Sequence, residues 1–197
     1  MRRLVSCAAL AFCVSNGLLQ FANAQTGSIQ VWDDSIEFPN KAESLKSVDF
    51  RNLSYRLGND TVVLQNGSFS RKDEPFGGIN AELEETWLFD VKDGVPRHAL
   101  VSIYVDTYGG SSSPNGYVLL FEIREGRLVM TQQFRYDAQA PGTGASFNAS
   151  RTTLTVTGRS DENTPNCCPK HVDVVTFAWR GDRFLPAGYR SNPVSKK

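Results

Sequence analysis

Two stretches, "HALVSIYV" (His98–Val105) and "YVLLFEI" (Tyr117–Ile123), are apolar at nearly every position. A strand with one wet face alternates apolar and polar residues, whereas a strand covered on both faces reads as an unbroken apolar run. These two segments are therefore the expected central strands of a sheet.

Working outward, the chain from Ser47 onward is a series of short apolar stretches separated by turn signals, the pattern of an all-β domain. Val48 and Phe50 alternate, as do Leu53, Tyr55 and Leu57, with a phase slip between the two sets that a bulge would produce. Asn66-Gly67 follows an apolar run and predicts a tight hairpin, because both residues tolerate positive φ. Ile79, Ala81, Leu83, Trp87 and Phe89 occupy odd positions and predict a strand with one buried face; a short helix over "AELEETW" is the competing reading. "REGRLVM", "TLTVTG", "VDVVTFAW" and "RFLPAGY" follow at strand spacing, with turns at Arg124-Glu125-Gly126 and Arg180-Gly181-Asp182. The expected fold is all-β, or β-rich with minor helix: an antiparallel meander forming a sandwich or a partly open barrel. Two long loops of small residues, Tyr108–Gly116 and Asp137–Ser150, are where binding residues could sit or where slack is simply tolerated.

The first residues set the expected compartment. Arg2 and Arg3, an apolar run from Leu4 to Leu19, and the small residues Ala22 and Ala24 form the pattern of a secretory signal peptide, with cleavage between Ala24 and Gln25. The predicted organisation is a signal peptide over 1–24, a polar leader over 25–46 that is ordered only if docked, a single β-rich domain over 47–190, and a polar tail over 191–197. Secreted or periplasmic localisation follows, with no integral membrane segment after cleavage, since no later run reaches the ~18 to 20 apolar residues a span requires. Lys and Arg number 21 and Asp and Glu 21, and no long basic run occurs. That balance argues against nucleic acid or an anionic membrane as partner, and a monomer is expected.

Of the 4 cysteines, Cys7 and Cys13 fall in the signal segment, so Cys167 and Cys168 alone would remain. In "NTPNCCPKH" (Asn163–His171) adjacent cysteines in an oxidising compartment predict a strained vicinal disulfide that stiffens a turn. The alternative is a metal site of Cys167, Cys168 and His171, which supplies at most three ligands where structural zinc takes about four.

His98 stands at the mouth of a predicted central strand, close to Asp90 and Asp93 across a turn. It is the candidate general base should the protein be an extracytoplasmic hydrolase. The common hydrolase and phosphate-loop motifs are missing from the sequence. The Arg180-Gly181-Asp182 triplet reads as turn chemistry.

Asp90, Asp93 and Gly94, followed by "VPRHALV", resemble the D-x-D-G-D-G-x-x-E-A-x-V turn of FG-GAP and related secreted β proteins, in which the aspartates often hold calcium. Here the loop is one residue short and Lys92 stands where an oxygen ligand is expected, so an Asp-Gly hairpin turn is the preferred reading. Together with "YVLLFEI" after a Gly/Ser-rich loop and "NCCPKHVDVVTFAWRGDRF", the chain resembles uncharacterised bacterial secreted or periplasmic β-rich proteins that carry a CCP segment. The resemblance spans most of Phe50 to Tyr189. It implies a β-rich fold and export, and it carries over no catalytic, cofactor-binding or metal-binding residue. The expected role is a non-catalytic binding or cell-envelope module without a cofactor.

Overall fold

The computed structural model of the chain describes residues 29–33, 35–58, 60–73, 77–109, 114–160 and 169–194. Ala24, Gln25, Cys167 and Cys168 lie outside the described residues, and with them the cleavage site and the cysteine pair. Thirteen strands are described: β1 (Gln30–Trp32), β2 (Ile36–Lys41), β3 (Ser54–Leu57), β4 (Asp60–Val63), β5 (Ser68–Asp73), β6 (Gly77–Lys92), β7 (Val95–Tyr108), β8 (Asn115–Arg124), β9 (Arg127–Asp137), β10 (Gly144–Asn148), β11 (Thr153–Arg159), β12 (His171–Trp179) and β13 (Phe184–Pro193).

The strands pair antiparallel in three sheets. A seven-stranded sheet has the order β1-β9-β8-β7-β6-β5, with β2 pairing β9 beside β1. A four-stranded sheet runs β10-β11-β12-β13, and β3-β4 form a separate hairpin. The all-β architecture is therefore that of a sandwich, and the sheets are not closed into a barrel.

β7 and β8, the two apolar runs, occupy the middle of the large sheet because both of its faces are covered. On one face Ala99, Val101, Ile103, Tyr117, Leu119 and Phe121 pack under Leu53, Tyr55, Leu57, Val62 and Leu64 of the hairpin region. On the other, Leu100, Val118, Leu120 and Phe134 pack against Leu154, Val156, Val175, Phe177 and Phe184 of the small sheet. Each of the Val, Leu, Ile and Phe side chains among these contributes roughly 1.5–3 kcal/mol through burial.

Two bulges decide which residues face which core. β6 pairs Leu83 with Ile103 but Glu85 with Ser102, so Glu84 is the extra residue. Odd positions before it, Ile79, Ala81 and Leu83, join the hairpin-side core, whereas Trp87 and Phe89 join the opposite core. An odd-position pattern unbroken in sequence is thus split between two faces, because a one-residue insertion inverts side-chain direction. β9 does the same at Thr131: Leu120 pairs Gln132 and Phe121 pairs Met130.

The structure refines several expectations. Residues 29–46, read as a polar leader ordered only if docked, are docked: β1 and β2 pair with β9, and Ile29, Phe38 and Leu45 are buried. On β2, at the sheet edge, Glu37 and Lys41 are exposed. Val48 and Phe50 belong to no strand. Leu45–Ser47 and Phe50–Asn52 are short 3-10 turns, capped by Ser44 and Asp49, whose side chains accept from Lys46 and Arg51 backbone N–H. The loop expected over 137–150 contains β10, whose Phe147 packs on Trp87 and Phe89. Ser191, Asn192 and Pro193, placed in the tail, complete β13 opposite Asp173, Val172 and His171.

The Asn66-Gly67 turn is present, with φ of 55° and 90°. It closes only the Gln65–Ser68 bridge, because the chain there passes from the hairpin into the large sheet. Gly116 faces Tyr136 across β8 and β9, and a Cβ at Gly116 would overlap the Tyr136 ring.

Candidate functional site

His98 is buried, at 6% exposure, at the seam between the two sheets. Its Nδ1 lies 3.0 Å from Asp90 Oδ2 and its Nε2 3.5 Å from Glu122 Oε2. The Trp179 ring, from the small sheet, stands edge-on at 4.5 Å, and Phe89 lies at 5.5 Å. The expected proximity of His98 to Asp90 is therefore real, while Asp93 sits in the exposed turn with φ of 52°. Both ring nitrogens face carboxylates and aromatic rings crowd the imidazole. A general base needs a nitrogen open to a substrate proton, and this geometry offers none. Glu122, the other carboxylate, also pairs with Arg124. The arrangement fastens the hairpin end of β6 and β7 to the small sheet.

His171 opens β12 and is exposed. Among the described residues, no group of three or more His, Cys, Asp or Glu side chains is placed to hold a metal ion.

A different place has the form of a binding site. A cleft of ≈ 590 Å³ opens between the β3-β4 hairpin and the large sheet, within the size range typical of ligand sites. Arg56, Leu57, Gly58, Asp60 and Val62 of the hairpin form one wall. Val105, Thr107, Asn115, Tyr117, Gln133 and Arg135 of β7, β8 and β9 form the opposite wall, and Trp32 and Ile36 of the N-terminal strands close the side. Neither this cleft nor a smaller one of ≈ 440 Å³ beside Tyr104 is lined by His98.

The polar groups of the cleft arise from strand register. Tyr117 pairs with Arg135 and Leu119 with Gln133, so Tyr117, Gln133 and Arg135 share the hairpin-side face of the sheet. Residues two apart on a strand are separated by about 7 Å, which places these donors within the span of one small molecule. Arg135 donates from Nε to Asn115 Oδ1 at 2.9 Å, an anchor that fixes the guanidinium. Burial pushes the Tyr117 phenol above its usual 10.0, a rise that nearby Arg135 opposes and Asp60 reinforces, so the hydroxyl stays neutral and able to donate.

Gln132 and Gln133 are adjacent, both buried, and opposite in their bonding. Gln132 Nε2 donates to Phe184 O and Asp33 Oδ1, each at 3.0 Å, and its Oε1 accepts from Phe184 N–H at 2.9 Å. Gln133, at 6% exposure, has an Nε2 with no hydrogen-bond partner. It is the one buried side-chain polar atom so placed among the described residues. Such an orphan costs about 1–3 kcal/mol and invites a functional explanation.

Comparison with models of known protein families, with curated proteins and with solved structures finds no match to any of them.

None of Arg56, Tyr117, Gln133 and Arg135 stands out as a site residue in the sequence. The available signal was "TQQFRYD" (Thr131–Asp137): polar residues inside a strand whose neighbours are buried on both sides.

Proposed function

We propose that this protein is an exported, non-catalytic binding module, and that its site is the cleft between the β3-β4 hairpin and the large sheet. The observation that carries this reading is the unpartnered Gln133 amide on the cleft wall, beside Tyr117 and an anchored Arg135. A buried amide left without a protein partner is what a site prepared for a polar ligand contains. The hydrolase alternative at His98 lacks comparable support, because its ring nitrogens are turned to Asp90 and Glu122. Export rests on the signal-like first 24 residues.

A thermal-shift screen of small polar and acidic compounds tests the proposal. A ligand at 100 times its Kd adds about 2.7 kcal/mol to stability, a rise of several degrees in Tm. Thr107→Trp, which fills the cleft from β7, should abolish that rise. A compound that raises the Tm of Thr107→Trp as much as that of the native chain would place its site elsewhere.

A further inference from the structure

We infer that the cleft takes an organic carboxylate, with its acid group held by Arg135, Gln133 and Tyr117 and its apolar body against Trp32 and Ile36. This rests on the cleft being the binding site and goes on to name the ligand class.

The charge of the lining points to an anion. Two arginines, Arg56 and Arg135, face one acid, Asp60. The Asp60 carboxylate lies 3.7 Å from Arg71, outside the lining. Among the described residues Arg135 forms no ion pair with a carboxylate; its side chain donates to the neutral Asn115. The acid nearest to it in sequence, Asp137, is already paired with the buried Arg159 at 3.0 Å. A partly buried guanidinium without a counter-charge favours an anionic ligand, and its planar fork matches a carboxylate in two parallel hydrogen bonds.

The remaining donors favour a carboxylate over a phosphate. Gln133 Nε2 and the Tyr117 hydroxyl are neutral, and Gly58 and the hairpin present no helix terminus toward the cleft. Phosphate sites gather several cations or a row of backbone N–H groups. Here one anchored arginine with two neutral donors suits a single negative charge. Trp32 and Ile36 on the side, with Leu57, offer the apolar surface that the rest of such a molecule would cover.

The test uses a panel of aryl and alkyl monocarboxylates, each matched with its uncharged primary amide, titrated against the full mature chain by calorimetry at low salt. The expected result is that acids bind and their amides bind at least about tenfold more weakly, the loss of one charge-assisted hydrogen-bonded contact. Arg135→Met should erase the difference between acid and amide, and Gln133→Leu should weaken the acid about tenfold. Arg56→Gln, at an exposed position, should weaken the acid several-fold and reduce its salt dependence. Equal affinity for acid and amide, lost in Thr107→Trp, would overturn the carboxylate while leaving the cleft as the site. Acid binding unaffected by Arg135→Met, Gln133→Leu and Thr107→Trp would overturn both. Failure of every acid in the panel to bind, while a neutral compound binds in the cleft, would also overturn the carboxylate.

Discussion

Phe184→Ala is expected to lower the stability of the protein by about 3–5 kcal/mol, the cost of removing a large buried aromatic side chain and leaving a cavity. Phe184 is fully buried at the start of β13. Its ring meets Phe89 at 5.7 Å, Phe134 at 6.4 Å, Phe147 at 6.2 Å and Trp179 at 5.1 Å, residues drawn from both sheets. The cavity would therefore lie in the seam that holds the small sheet to the large one. Neighbouring rings cannot collapse into it without loosening their own contacts. For a domain of this size the loss corresponds to a fall in Tm of about 10 °C. Phe184→Leu, which keeps most of the volume, should cost less than about 1.5 kcal/mol. Urea melts of the three proteins measure this, and a loss below 1 kcal/mol for Phe184→Ala would mean that the two sheets are not joined through this ring.

The adjacent glutamines are expected to respond in opposite ways to the same substitution. Gln132→Leu leaves the buried N–H and C=O of Phe184 without partners, at about 1–3 kcal/mol each, so a loss of about 2–6 kcal/mol is expected. It also releases Asp33, which Gln132 shares with Arg183. Gln133→Leu removes an amide whose nitrogen already lacks a partner. Its stability should be unchanged or higher by up to about 2 kcal/mol, since an unsatisfied group replaced by an apolar one of similar size recovers the desolvation cost. The two side chains are chemically identical and lie on opposite faces of β9, so the contrast separates an amide that stitches the fold from one kept at a cost to stability. Equal destabilisation by both substitutions would show that Gln133 is a structural residue.

The central strands were legible in the sequence because burial on both faces removes the alternation, and "HALVSIYV" and "YVLLFEI" show it directly. Turn chemistry was equally readable: Glu125 and Gly126 adopt φ of 51° and 74° where Arg124-Glu125-Gly126 signals the bend. Face assignment was not. Ile79 to Phe89 keep one parity in sequence, and only the pairing of Glu85 with Ser102 reveals the inversion at Glu84. Val48 and Phe50 show how two alternating residues can come from 3-10 turns, where local capping by Asp49 decides the backbone. The N-terminal strands hide for another reason: an edge strand is held largely by main-chain pairing, which leaves little side-chain pattern. His98 was visible as an unusual residue near Asp90, but its enclosure by Trp179 depends on a contact distant in sequence. The cleft was the least legible feature, because Tyr117, Gln133 and Arg135 come from two strands whose register sets their common direction, and Arg56 from a hairpin distant in sequence.

The most direct test of the cleft as the functional site is a two-dimensional ¹⁵N NMR titration of the protein with binders from the screen. The account predicts that perturbed backbone and side-chain amides concentrate on β3, on Tyr117 and Asn115 of β8, and on Gln133 and Arg135 of β9, with the Gln133 side-chain NH₂ among the largest shifts. Perturbations centred instead on His98, Asp90 and Trp179, with the Gln133 amide unmoved, would contradict it.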